Sequence, residues 1–397
     1  MTTLHPARGE VVKPSRRRPL DHPLSAYVML LGATLLLLLL GLVMVLSASS
    51  VLSLRTTGSA YTLAERQTLF AAIGLPLMFL ASRLPVSFYR RLAWPLLFFA
   101  LVGLVAVLIP GIGVNARGHQ NWIPIFGPFR LQPSEFAKLA LVVWTADLLA
   151  RKQSIMNQWK HLLIPLVPVS LLVVGLILLE GDLGTTLVVL PIILVLLFVA
   201  GAPGRLFAVA GVGVVAMVAL MAYEKPYRMR RLTAFLHPSQ DPSGASYQVL
   251  HGWYSLANGG WFGVGLGASR EKWGALPEAH TDFIFAVVGE ELGLIGTFLV
   301  LLLFAILGFA AIRLALRTED VFVRLASAGV MAWLLFQAFI NIGAVLRLLP
   351  STGVPLPLVS YGGSSLIPTM LALGMLMSFA RHEPSAQAAI SAHRGRG

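Results

Sequence analysis

Apolar residues run along this chain in long blocks, broken by short stretches rich in arginine, glycine and proline. A helix needs roughly 20 mainly apolar residues to cross a bilayer. Runs of that kind fall at 27–50, 67–82, 92–110, 134–150, 162–179, 184–200, 206–223, 284–312, 325–346 and 366–380. They predict an all-α, polytopic integral membrane protein with about ten transmembrane helices. The second and last runs are short and the fourth carries charges near both ends, so those three are the least sharply defined.

Charge orients the spans. With the N-terminus in the cytoplasm, the inside segments hold Arg16–Arg18, Arg83, Arg90, Arg91, Arg151, Lys152, Arg205, Arg313, Arg317, Arg324 and Arg381, among others. The short outside loops hold only Arg55, Arg66, Arg117, Arg130 and Arg347. This is the cytoplasmic excess of Lys and Arg that multi-pass proteins show. Both termini are then cytoplasmic. The expected organisation is a basic tail over 1–25, a membrane domain over 26–380 and a second tail over 381–397. The first apolar run is too long for a secretory signal core of about 7–15 residues, so an uncleaved first helix is expected. No convincing internal repeat is present, which weighs against an inverted-repeat transporter.

Composition agrees. Of 397 residues, 57% are hydrophobic and 12% charged, with a mean hydropathy of +0.79. Soluble domains carry about 25% charged residues, so most of this surface must face lipid. Cysteine is absent, which excludes disulfides, thiolate nucleophiles and cysteine metal sites. The net charge of +13 is scattered between apolar blocks rather than gathered in a patch. That pattern suits membrane orientation and anionic headgroups, not nucleic acid.

One loop departs from the pattern. Residues 224–282 form a long extracytoplasmic segment between helices seven and eight, holding Lys225, Arg228, Arg230, Arg231, Arg270 and Lys272. These cations on the outer face would suit an anionic ligand. The loop ends in Leu276-Pro-Glu-Ala-His-Thr-Asp-Phe283. Locally, Thr281 or Asp282 reads as a helix N-cap. A carboxylate held there is also a candidate general base or cation ligand at the membrane surface. Glu290 and Glu291 follow on the same helix, and charge at membrane depth is usually functional. Alternatively that helix projects from the bilayer, since residues after Glu291 could span it alone.

Two further segments carry polar side chains. Glu135 and Lys138 share a helix face and form either an internal ion pair or a pair in which Lys138 reaches a phosphate. Ser360-Tyr361-Gly362-Gly363-Ser364-Ser365 is either a phosphate cradle or, more commonly, a turn and helix cap. The glycines at 263, 265 and 267 lack the strand–helix context of a nucleotide loop.

In order along residues 25–380, these motifs resemble the SEDS (shape, elongation, division and sporulation) family. The carrying segments are Trp122-Ile123 with Gln132 through Lys138, Asp182-Leu-Gly-Thr185, Gly263 through Gly267, Leu276 through Phe285, Gly289-Glu-Glu-Leu-Gly293, and Leu349 through Ser365. Ala279 is closer to the division branch, because the elongation branch usually has Arg there. Two departures stand out: Asn121 where the family often has Arg, and Glu180-Gly181 where it often has Gln-Pro. Any role of that Arg does not carry over.

The resemblance implies a peptidoglycan glycosyltransferase of the cytoplasmic membrane, concentrated at the division septum, that polymerises lipid II into β-1,4-linked glycan. It implies Asp282 as the catalytic base, with Trp122, Glu135, Lys138, His280, Ser360, Tyr361, Gly362, Gly363 and Ser364 binding substrate. A divalent cation, Mg or Mn, with Asp282 as its ligand is left open. Implied partners are lipid II, a class B penicillin-binding protein (a transpeptidase) and other division proteins. A lipid II flippase and a non-catalytic division scaffold are the competing readings.

Overall fold

The computed structural model describes residues 24–116, 119–127, 129–153, 159–224, 246–274 and 276–383. Both tails and the basic stretch with Lys225, Arg228, Arg230 and Arg231 lie outside the described residues. Every predicted span is met by a helix: α1 (Ser25–Thr57), α2 (Thr62–Ala81), α3 (Val86–Leu108), α4 (Pro133–Arg151), α5 (Trp159–Leu179), α6 (Leu183–Val199) and α7 (Gly204–Glu224). After α8 (Tyr247–Gly259), which lies in the long loop, come α9 (Ile284–Arg317), α10 (Val321–Val345) and α11 (Gly363–His382).

Six of the described helices, α1, α2, α3, α9, α10 and α11, are long and apolar enough to cross a membrane. The fourth predicted span, α4, is a central helix: from Pro133 to Leu149 every residue except Phe136 is buried. Its neighbours α3, α10 and α11 enclose it, which is why it tolerates charges that a lipid-facing helix would not. Leu39, Phe98, Phe99, Phe298, Leu302 and Phe339 instead point outward from the bundle, where hydrocarbon would cover them.

Two features at the Asp282 end of the bundle were not expected from the sequence. Residues 114–131 form a small antiparallel sheet in the order β1 (Val114–Ala116), β2 (His119–Phe126), β3 (Phe129–Leu131), so the all-α bundle carries a β element. The long loop holds the amphipathic α8, packed against α9.

Helix α9 breaks at Gly293, with φ 68° and ψ −164°, a region open essentially to glycine alone. The loop fills the gap in the helix hydrogen bonding. Val264 N–H donates to the Glu290 carbonyl at 2.9 Å, and Leu294 N–H donates to the Gly260 carbonyl at 2.9 Å. Below this splice, Ser269 Oγ donates to Glu290 at 2.6 Å and Lys272 Nζ pairs with Glu291 at 3.0 Å. Ser47 of α1 donates to the same Glu291 carboxylate at 2.6 Å. Both glutamates are therefore buried anchors of the loop, and the portion of α9 beyond the break is a long apolar span. A Cβ on residue 293 would meet the Trp261 carbonyl at 2.5 Å. Gly293→Ala is accordingly expected to cost about 1–3 kcal/mol from backbone strain alone, read as a lowered unfolding midpoint in detergent. An unchanged midpoint would mean that the break relaxes freely.

Candidate active site

Asp282 sits where the long loop turns into α9, and its backbone is fixed from one side. Three consecutive carbonyls are each claimed, two by the segment before α11 and one by α10. Tyr361 N–H donates to the His280 carbonyl at 2.9 Å, Ser360 Oγ to the Thr281 carbonyl at 2.6 Å, and Asn341 Nδ2 to the Asp282 carbonyl at 2.9 Å. Asn341 also holds the Val354 carbonyl at 2.8 Å. Before the turn, Glu278 adopts φ +55°, and its carboxylate accepts from Thr281 Oγ1 at 2.9 Å. The Asp282 side chain remains partly exposed. Backbone clamping with a reachable carboxylate is the arrangement a pre-positioned base or cation ligand requires.

The segment Thr352–Val354 packs between Asp282 and the start of α6. A Cβ at Gly353, itself at φ +78°, would lie 3.6 Å from Asp282 Oδ2, whereas a Cβ at Gly184 would lie 2.7 Å from the Thr352 carbonyl. Asp182 caps α6, accepting from Thr185 N–H at 2.8 Å and Thr185 Oγ1 at 2.7 Å. Gln132 Nε2 donates to it at 2.9 Å, tying the α4 entrance to the α6 entrance. The structure thus brings the Gln132, Asp182, Asp282 and Ser360 motifs to one end of the bundle.

Several residues expected to bind substrate have other positions. Lys138 is 1% exposed, bonded to Glu135 at 2.8 Å and to Gln337 Oε1 at 2.9 Å, with its ammonium 5.1 Å from the Trp333 ring centre. Glu135 is equally buried. The internal ion pair is what forms, buried within the bundle. Gln337 Nε2 passes the connection on to the Pro355 carbonyl at 2.9 Å, so the pair supports the 352–361 segment.

The stretch 360–364 is a turn and helix start, not a phosphate cradle. Gly362 N–H is taken by Gln67 Oε1 at 3.1 Å, and Gly363 packs flat on the Phe70 ring. Ser364 Oγ bridges the Arg130 carbonyl and Gln132 N–H at 2.7 and 3.2 Å. Tyr361 is half-exposed, with its ring 5.5 Å from buried His280. Burial raises the Tyr361 hydroxyl above its ordinary range, opposed by the Arg66 guanidinium bonded to it. Trp122 lies half-buried on β2, a strand that packs on α3 and α4.

Sequence reading missed Asn341, Gln337, Gln67 and Arg66. Asn341 and Gln337 share one face of the mainly apolar second half of α10, a helical spacing of four. Polar side chains inside an apolar span were the available signal.

Comparison with known proteins is decisive for the family. Residues 27–385 match the FtsW/RodA/SpoVE cell-cycle protein family. This chain belongs to that family. The probable peptidoglycan glycosyltransferase FtsW of Mycobacterium tuberculosis is 42% identical over 392 residues, spanning 97% of this chain and 75% of the relative. Stage V sporulation protein E of Bacillus subtilis is 40% identical over 359 residues, 90% of this chain and 98% of that protein. Among solved structures, a chain of a peptidoglycan synthase complex, described as coordinating polymerisation and crosslinking, aligns with TM-score 0.72 at 33% identity, covering 89% of this chain and 97% of that one. RodA of Thermus thermophilus aligns with TM-score 0.67 at 31% identity, covering 90% and 97%.

Glu180 lies beside Asp182, the cap of α6. It follows α5 immediately, is 1% exposed, and neither carboxyl oxygen has a hydrogen-bond partner. Burial first, and the nearby Asp182 charge second, push its pKa up to about 9. The sign of the linkage follows. Between the ordinary glutamate range and about 9 the folded chain holds a proton that the unfolded chain has released, so stability falls as pH rises through that window. The slope is ~1.4 kcal/mol per pH unit at most. Glu180→Gln is expected to remove this slope, so that its thermal midpoint gains on wild type steadily from pH 6 to pH 9. Parallel midpoints over that range would show that Glu180 ionises without cost.

Proposed function

We propose that this chain is a peptidoglycan glycosyltransferase that polymerises lipid II at the outer surface of the cytoplasmic membrane, in septal wall synthesis. The observation that carries the reading is the clamped turn at 280–282, which holds a partly exposed Asp282 at one end of a helical membrane bundle. In the proposed reaction the 4-hydroxyl of one sugar attacks C1 of another, the bond from C1 to undecaprenyl diphosphate breaks, and a β-1,4 link forms with inversion. Asp282 accepts the proton of the attacking hydroxyl, a role that needs a carboxylate fixed within hydrogen-bond reach of the nucleophile.

The diphosphate leaving group takes two negative charges with it and needs cationic help. Tyr361 and the Arg66 bonded to it are both partly exposed, whereas Lys138 is spent on Glu135. Among the described residues no cluster of three or more His, Asp or Glu forms a metal cage. A single accessible carboxylate does suit a magnesium-type ion, which commonly binds through one or two carboxylates and substrate phosphates. When bound by Asp282, such an ion would supply charge neutralisation at the leaving diphosphate. The similarity to a chain from a complex that couples polymerisation and crosslinking supports a transpeptidase partner, a class B penicillin-binding protein; other division proteins are further proposed partners. Cytoplasmic placement of both termini follows from the arginine distribution.

The test is lipid II polymerisation by the purified protein in complex with its cognate transpeptidase. Glycan ladders support the assignment. Translocation of labelled lipid II across vesicles without any ladder, from an intact complex, would replace it with the flippase reading.

A further inference from the structure

The bundle end opposite Asp282 holds a cavity of about 150 Å³ lined by Gln153, Val199, Ala200, Val321, Arg324 and Leu325. This is well above the ~10–15 Å³ that one water needs. It forms where the last residues of α4 and α6 meet the first turn of α10. Along α10, Arg324 lies 17 residues before Asn341, the residue that holds Asp282. At 1.5 Å per residue that is ~26 Å, close to the thickness of the hydrocarbon core. The cavity therefore opens at the inner membrane surface if the site opens at the outer one.

Arg324 is the unusual part of the wall. Its Nε is buried with no hydrogen-bond partner, and it makes no ion pair with any described residue. The nearest acid in sequence, Asp320, is committed to capping α10, accepting from Phe322 N–H at 2.8 Å and Val323 N–H at 3.4 Å. Asp147, at the same end, is held by Arg90 and Arg151 at 3.3 and 2.7 Å. An unsatisfied buried donor is costly, and a guanidinium fork matches phosphate oxygens better than any other side chain does. Among the described residues, the remaining wall offers the Gln153 amide and the apolar groups of Val199, Ala200, Val321 and Leu325. A guanidinium above an apolar rim fits a phosphodiester whose substituents continue into hydrocarbon, which free phosphate lacks.

We infer that this cavity binds the phosphodiester headgroup of an anionic phospholipid of the inner leaflet, with Arg324 as its phosphate ligand. The bound lipid joins the cytoplasmic ends of α4, α6 and α10, well away from the glycosyltransferase chemistry, and the inference does not depend on that chemistry.

Native mass spectrometry and thermal unfolding of the detergent-purified full chain test it, with phosphatidylglycerol, phosphatidylcholine and inorganic phosphate as probes. Wild type should retain phosphatidylglycerol in preference to phosphatidylcholine and be stabilised by it. Arg324→Gln should lose about tenfold in retention, the loss expected for one charge-assisted bond, and should lose the added stabilisation. Arg324→Lys, which keeps the charge without the fork, should fall between. If Arg324→Gln proves poorly folded, Ala200→Leu, which fills the cavity and leaves Arg324 in place, should weaken retention in the same way. Equal retention of phosphatidylglycerol by wild type and by the folded variants would overturn the inference. So would stabilisation by inorganic phosphate equal to that by the lipid, or equal retention of the zwitterionic lipid.

Discussion

Asp282→Asn is expected to reduce lipid II polymerisation by at least about a hundredfold, the lower end of what a general base contributes, while leaving the fold in place. The separation of the two effects comes from the geometry. What holds this turn is its backbone: the carbonyls of 280, 281 and 282 are bonded to Tyr361, Ser360 and Asn341, and none of those bonds uses the aspartate side chain. Asparagine keeps the size and polarity of the partly exposed group but has no free carboxylate to take a proton or hold a cation. The check is a polymerisation time course beside a thermal unfolding curve for both proteins. A variant with wild-type unfolding and wild-type rate would remove Asp282 from the chemistry.

The largest expected effect on stability belongs to Lys138→Met. Breaking a buried ion pair by removing one partner commonly costs about 3–5 kcal/mol, because the remaining charge is stranded. Here Glu135 would lose the one cation paired with it among the described residues, 2.8 Å away, and Gln337 Oε1 would lose one of two donors, the other being Trp333 Nε1 at 2.8 Å. The ammonium also sits on the Trp333 face, an attraction that strengthens when desolvated. The double substitution Glu135→Leu with Lys138→Met should recover much of the loss, since no charge is then stranded. A single variant as stable as wild type would mean that Lys138 is not the counter-charge. Because Gln337 also supports the Pro355 carbonyl, loosening of the 352–361 segment should appear as lower activity even where the folded protein survives.

Much of the architecture was legible in the sequence because lipid imposes a coarse, length-based code. Each predicted run became a helix, and even the charged run at 134–150 did so, although its charges signify a central rather than a lipid-facing helix. The small sheet over 114–131 was hidden, since Gly and Pro in that loop read as irregular backbone. The break at Gly293 was hidden too, because its cause is a backbone exchange with residues 260–265 that no local pattern encodes.

The site was legible in its motifs and less so in the roles of individual residues. His280 is buried against the Tyr361 ring, while the Asp282 carboxylate lies beside Gly353. Lys138 and the 360–364 stretch look like phosphate ligands in one dimension, but their donors are already used by Glu135, Gln337, Gln67 and the Arg130 carbonyl. Asn341 and Gln337, which hold the turn and its facing segment, needed three-dimensional placement before their polarity could be explained. Glu180 was visible as a departure from the family pattern, but only its burial beside Asp182 shows why it should stay protonated.

The most direct test of the central claim is release of undecaprenyl diphosphate from lipid II, measured for wild type and Asp282→Asn in complex with the same transpeptidase. The account predicts release in step with glycan formation by wild type and almost none from the variant. Release at the wild-type rate by a correctly folded Asp282→Asn protein would contradict it.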